Sequence, residues 1–196
     1  MIDGLDVFKA FQPHRGDAIV TTSGTAGRHW PEVSTKPNRD LRLQSAMGQT
    51  ISAAFGVALG MPDEKVVIFD SEGALLMNLG VLASIAGKAP KNFYHFLLDN
   101  EMYATTGGQP VPNARKIDYA GMAKGAGYAS THHFTDLEDL VTSMEAIMNE
   151  EGPVFISIKI NPEVQNLPMA LRDRSSGRSR IETIRDFQKE MGIATV

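Results

Sequence analysis

Three apolar, strand-like runs in this chain each end in a turn of small or acidic residues, and helical patterns alternate with them along the chain. Asp17 to Thr22 closes on Ser23-Gly24-Thr25-Ala26-Gly27. A dense stretch of small and apolar residues, Gly48 to Leu59, then reads as a helix stopped by Gly60-Met61-Pro62-Asp63. The second run, Lys65 to Phe69, breaks at Asp70-Ser71-Glu72-Gly73, with a helix expected over Leu75 to Ile85. The third, Phe93 to Leu98, is apolar throughout, as strands covered on both faces are, and ends at Asp99-Asn100-Glu101. A long Gly/Pro loop, Thr105 to Asn113, leads to a helix at Tyr119 to Lys124, a strand at Tyr128 to Phe134, a helix at Leu137 to Met148 and a strand at Val154 to Ile160. Arg178 to Met191 reads as a charged terminal helix. This alternation implies an α/β fold with a doubly wound, mostly parallel sheet, helices on both faces, and a ligand beyond the carboxyl ends of the strands.

At 196 residues the chain is expected to form a single domain, 1–196. Its 42% hydrophobic and 21% charged composition suits a packed core. A net charge of -4 offers no basic face for nucleic acid or an anionic membrane. No apolar run approaches the roughly 20 residues that a membrane-spanning helix needs. With no cysteine and no basic-then-apolar leader pattern, a cytoplasmic setting is expected.

The strand-end rule selects three loops: Ser23 to Arg28, Asp70 to Ala74 and Asp99 to Gln109. The turn at Ser71-Glu72-Gly73-Ala74 aims the free N–H groups of a helix start at its ligand, which favours phosphate. A carboxylate beside a phosphate is repulsive unless a cation separates them, so Glu72 with the Asn100 amide oxygen suggests Mg²⁺ or Ca²⁺. The plainer alternative is that Glu72 only stabilises the helix start. Arg28 and His29 are candidate contacts for an anionic substrate, or else surface residues. His132-His133 lies in a strand-like run and lacks the spacing of a metal pair on one helix face. The Arg- and Ser-rich segment within 170–196 suits either a mobile solvated tail or a lid. Neither G-x-G-x-x-G nor a P-loop follows a strand, which disfavours an unrelated nucleotide-binding domain.

Ser71-Glu72-Gly73, then residues 74 to 99, then Asn100 resembles the Gly-Asp-Gly to Asn hallmark of the diphosphate-binding domain of thiamine diphosphate enzymes. The flanking words Leu75-Leu76-Met77-Asn78-Leu79-Gly80, Ala89-Pro90-Lys91-Asn92, Leu98-Asp99-Asn100 and Thr106-Gly107-Gly108-Gln109 are similar to those of the decarboxylases of sulfopyruvate and phosphonopyruvate. In size and extent the chain resembles the smaller, β-type subunit of that group. The resemblance implies a metal held by Glu72, the Asn100 side chain and the Met102 carbonyl. It implies diphosphate contacts from Ser71, Gly73 and Ala74, with the Gly24-Thr25-Ala26 loop closing on the group and Tyr103 beside it. Met47 stands where relatives place the apolar wedge that bends the cofactor, and the Ser45 carbonyl where they receive the aminopyrimidine; otherwise Met47 reads as core.

The sequence departs from the pattern at Glu72 for Asp, Ser71 for Gly and Tyr103-Ala104 for Tyr-Gly. A Cβ at Ser71, where glycine permits positive φ or close backbone approach, is expected to rebuild the turn locally. The activating glutamate of these enzymes lies on a pyrimidine-binding domain for which this chain has no room. The resemblance therefore implies a hetero-oligomer with a pyrimidine-binding α subunit, acting on a small 2-oxo acid. A carboligase subunit and a non-catalytic assembly or regulatory subunit are the alternatives.

Overall fold

The computed structural model describes residues 1–43, 46–164 and 179–193. At its centre is a five-stranded parallel sheet made of β1 (Ile19–Thr22), β2 (Val66–Ser71), β3 (Phe93–Asp99), β6 (Ser130–Phe134) and β7 (Val154–Lys159), in the order β1-β2-β3-β7-β6. β2 is buried up to its last residue and β3 throughout, so their apolar runs reflect cover on both faces.

Helices α1 (Gly4–Phe11) and α7 (Leu137–Met148) cover one face. Phe8 and Phe11 of α1 meet Trp30 and Phe69 in an aromatic cluster with ring centroids 4.8 to 5.8 Å apart. α7 buries Leu140, Met144, Ile147 and Met148, a helical spacing, and its Asp136 N-cap accepts from the Glu138 and Asp139 N–H groups. The opposite face carries α3 (Thr50–Gly60), α5 (Val81–Lys88), α6 (Tyr119–Ala126) and α8 (Arg180–Glu190). α8 starts with a Ser179/Glu182 capping box and buries Phe187. The expected doubly wound α/β architecture is therefore present.

The differences are local. α1 and the short α2 (Trp30–Val33) have no counterpart in the sequence reading. The helix expected over Leu75 to Ile85 is two, α4 (Glu72–Leu76) and α5, because Asn78 turns back to donate from Nδ2 to the Gly48 carbonyl (2.7 Å) and Ser52 Oγ (3.0 Å). The Gly/Pro loop contains structure: β4 (Met102–Tyr103) pairs antiparallel with β5 (Gln109–Pro110) around a 3₁₀ turn at Ala104–Thr106. The strand expected from Tyr128 starts at Ser130. In it His132 faces Ser130 and Glu150 while His133 is exposed, and no group of three or more His, Asp or Glu among the described residues could hold a metal. No described helix is long and apolar enough to cross a membrane. Of the Arg/Ser-rich segment, 170–178 and 194–196 lie outside the described residues.

Candidate functional site

β1, β2 and β3 are neighbours in the sheet, so their carboxyl ends bring the three selected loops together. A cleft opens there. It is lined by Gly24 and Thr25 after β1, Met47 and Thr50 at the head of α3, Ser71, Gly73 and Ala74 after β2, and Met102, Tyr103, Ala104 and Thr105 after β3. Eight residues expected at a cofactor site thus share one wall. Ser23, Ala104 and Thr105 join them from the selected loops, and Thr50 joins them without any signal in the sequence to mark it. Ser45 lies outside the described residues.

Local packing explains several identities. Gly73 does not use positive φ; a Cβ there would sit 2.7 Å from Tyr103 Cε1, so the missing side chain is what lets the Tyr103 ring lie against the turn. Gly48, at φ +81, brings its loop onto α4, where a Cβ would meet the Ala74 carbonyl at 3.0 Å. That docking places Met47 on the cleft wall, 39% exposed, so the reading of Met47 as core is set aside. Ser71 is extended (φ −107, ψ 148), a conformation open to any residue, so its side chain is carried without the positive φ that a glycine allows. Its N–H donates to Asp70 Oδ1 at 2.9 Å. Ala104 likewise sits in a short 3₁₀ turn, not at positive φ.

Glu72 and Asn100 meet. Glu72 Oε1 and Asn100 Oδ1 both accept from the Met102 N–H, at 2.9 and 3.0 Å. Both residues are buried, and Glu72 Oε2 has no hydrogen-bond partner among the described residues. Burial pushes the Glu72 pKa up, the nearby Asp99 charge adds to this, and backbone donors at Glu72, Asn100 and Met102 resist; the result is about 7. A buried carboxylate with one orphaned oxygen suits a hard divalent cation, and so does its amide neighbour.

The loop after β3 is clamped from below. Lys159, at the end of β7, places Nζ 2.7 Å from Asp99 Oδ2 and 2.9 Å from Glu101 Oε1. Burial opposes the charge on Lys159, but Asp99 and Glu101 outweigh it and raise its pKa. Glu101 is held at φ +65, a conformation side-chain-bearing residues avoid, with its N–H on Asp99 Oδ1 and its carbonyl accepting from Val111. Asn100 is thus gripped from both sides in sequence. Tyr119 adds a second buried group without a hydrogen-bond partner among the described residues, its hydroxyl, whose pKa is raised by burial and then by the charges of Asp99 and Glu72.

A side pocket adjoins the cleft at Thr25, lined also by Arg28, His29, Asn100 and Glu163. Arg28 and His29 therefore lie near the site, but both are paired: Arg28 Nη1 donates to Glu163 Oε2 at 2.7 Å, and His29 lies between Glu163 (3.1 Å) and Glu32 (3.0 Å). Burial disfavours the charged imidazole, yet the two carboxylates prevail and raise its pKa.

Residues 21–158 match the family model described as thiamine pyrophosphate enzyme, C-terminal TPP binding domain. The chain belongs to this family. All three site loops of the thiamine pyrophosphate enzyme domain fall within the match. The chain is 36% identical over 147 residues to phosphonopyruvate decarboxylase of Streptomyces hygroscopicus, covering 74% of this chain and 35% of that protein. It thus spans about a third of that relative's length. It is 31% identical over 179 residues to sulfopyruvate decarboxylase subunit beta of Methanothermobacter thermautotrophicus, covering 91% of this chain and 89% of that subunit. Among solved structures, benzoylformate decarboxylase from Polynucleobacter necessarius superposes with a TM-score of 0.69 at 17% identity, covering 82% of this chain and 33% of the other, which shows the shared fold.

Proposed function

We propose that this chain is the diphosphate- and metal-binding subunit of a thiamine diphosphate-dependent 2-oxo acid decarboxylase of the sulfopyruvate/phosphonopyruvate type. The observation that carries this reading is the buried Glu72 carboxylate, with one oxygen orphaned and the other converging with Asn100 on the Met102 N–H. Glu72 and Asn100 hold Mg²⁺ (or Ca²⁺) through side-chain oxygens. The N–H and carbonyl of an extended residue leave the same edge of a strand, which supports the Met102 carbonyl as a third ligand. Gly73 and Ala74 offer first-turn N–H groups to the diphosphate, Ser71 lies beside them, and Gly24 and Thr25 close from β1. Met47 supplies the apolar wedge, with Tyr103 packed against Gly73.

Thiamine diphosphate, when bound, supplies the thiazolium carbon that adds to the 2-oxo group and the electron sink for departing CO₂. The chain's own residues bind and orient, and Arg28 and His29 contact the anionic substrate. The activating glutamate belongs to a pyrimidine-binding α subunit, as the likeness to a protein named as a β subunit supports. The site therefore lies at the interface of a soluble hetero-oligomer in the cytoplasm.

The decisive test is calorimetric titration of thiamine diphosphate, with and without Mg²⁺, into this chain co-purified with its native partner, followed by a CO₂-release screen of 2-oxo acids. Saturable binding that needs Mg²⁺ and is lost in Asn100→Ala is expected. Absence of binding in a verified complex would favour a non-catalytic assembly subunit whose Ser71-Glu72 turn no longer takes the cofactor. Product that retains two carbon skeletons would favour a carboligase.

A further inference from the structure

His95 interrupts the apolar run of β3 at a position with no exposure. It pairs with Ile68 in the register of β2 and β3, and Asp70 lies two residues beyond Ile68, so both side chains share the sheet face that α3, α5 and α6 cover. Their nearest atoms, His95 Nε2 and Asp70 Oδ2, are 3.6 Å apart, and each lacks a hydrogen-bond partner among the described residues. A buried carboxylate oxygen and a buried ring nitrogen that face each other in an apolar core cost far less paired than apart. A shift of about half an ångström brings them to hydrogen-bond length. The remaining contacts set the direction of that bond. Tyr128 Oη lies 3.5 Å from His95 Nδ1, and burial followed by the Asp70 charge pushes the Tyr128 pKa up, so the hydroxyl keeps its proton and acts as a donor. An imidazole that accepts on Nδ1 carries its own proton on Nε2, toward Asp70. Phe155 stands edge-on to the ring at 4.6 Å and packs it from β7. Asp70 Oδ1, meanwhile, accepts the Ser71 N–H at 2.9 Å, and Ser71 leads directly into Glu72 at the head of α4. One carboxylate thus joins a core histidine to the turn of the candidate site.

We propose that His95 is a positioning residue for the Ser71-Glu72-Gly73 turn: its Nε2–H holds Asp70 from behind, and Asp70 fixes the Ser71 peptide from which Glu72 and the first-turn N–H groups are aimed. That the turn receives metal and diphosphate rests on the decarboxylase reading; the hold of His95 on the turn does not. His95 acts through Asp70 alone and lines no part of the cleft.

The test begins with the full chain without cofactor, metal or partner. Nitrogen NMR of the histidine rings should show His95 protonated on Nε2 and not on Nδ1. Asp70→Asn turns an amide donor toward the ring and should move that proton to Nδ1, a response that a merely space-filling histidine does not give. This variant buries no charge, so adding His95→Leu to it leaves no carboxylate orphaned in the core. In the double variant the Ser71 amide should exchange with solvent about tenfold faster than in Asp70→Asn alone, while the Leu97 and Leu98 amides keep their rates. In the complex with the native partner, thiamine diphosphate with Mg²⁺ should bind the double variant about tenfold more weakly than Asp70→Asn. A native ring protonated on Nδ1 alone, or a proton that stays on Nε2 in Asp70→Asn, overturns the bond to Asp70. An unchanged Ser71 exchange rate in the double variant overturns the positioning, and equal cofactor affinity in the two variants overturns its link to the ligand. If the proton and exchange results hold while the native complex takes no thiamine diphosphate, the hold of His95 on the turn is supported and the decarboxylase reading alone fails.

Discussion

At Glu72 a single methylene and complete burial set the chemistry of the turn. The carboxylate accepts the Met102 N–H on Oε1, has no hydrogen-bond partner on Oε2 among the described residues, and has Asp99 as a charged neighbour, so burial and that charge outweigh its backbone donors and it holds a proton up to about pH 7. A carboxyl group whose folded pKa lies above its unfolded value of about 4.5 stabilises the fold fully below pH 4.5, and that contribution is lost as pH rises to about 7. The shift corresponds to at most about 3 kcal/mol. Urea unfolding without divalent ions should therefore show stability falling between pH 4.5 and 7, and Glu72→Gln should flatten that slope and be the more stable chain at pH 8. Mg²⁺ should reverse the trend in the native chain, because metal and proton compete for the same oxygen. A flat native profile would mean that Glu72 is solvated and ionised at neutral pH. Gly73 makes a second residue-scale argument. Gly73→Ala forces a Cβ to within 2.7 Å of Tyr103 and should cost about 1–3 kcal/mol in chemical denaturation. Adding Tyr103→Ala should recover much of that cost, a coupling that independent sites do not show.

Among the elements, the strands and α7 were legible because their patterns are local: β2 and β3 are continuous apolar runs, and α7 repeats its apolar residues at helical spacing behind an Asp136 cap. The Ser71-Glu72-Gly73 to Asn100 spacing marked two loops of the candidate site, and the parallel β2–β3 pairing carries both to the same end of the sheet. What the sequence hid are contacts between distant segments. Asn78 splits the expected helix by bonding residues 26 and 30 positions away, and Lys159 reaches Glu101 across 58. No periodicity encodes either. Both now support predictions. Asn78→Ala should release the loop that carries Met47, costing about 1–3 kcal/mol for the unsatisfied Gly48 carbonyl and weakening cofactor binding in the complex. Lys159→Met leaves Asp99 buried without its cation and should destabilise by about 3 kcal/mol or more, as unfolding midpoints would show. If Lys159→Met were neutral, the clamp under Asn100 would carry no energy.

For the whole molecule, the sheet order explains why the proposed cofactor residues lie together. β1, β2 and β3 present the three candidate loops side by side at the carboxyl end of the sheet, and the match to the family's C-terminal TPP binding domain covers those loops. Every residue proposed above for the cofactor is assigned to the diphosphate, the metal or the bend of the molecule; the group that protonates the aminopyrimidine is proposed to come from the α subunit. In the proposed two-subunit arrangement binding energy is shared across an interface, so cofactor, metal and partner would stabilise one another. The chain alone should gain little on adding thiamine diphosphate with Mg²⁺. In the complex a ligand at a hundredfold its Kd stabilises the folded state by about 2.7 kcal/mol, read as a rise in melting temperature that vanishes with chelator. Asn100→Ala should remove that rise in the complex while leaving the ligand-free melting temperature nearly unchanged. A rise that survives chelation would show the diphosphate held without a cation, and the buried Glu72 carboxylate would then have to be protonated beside it.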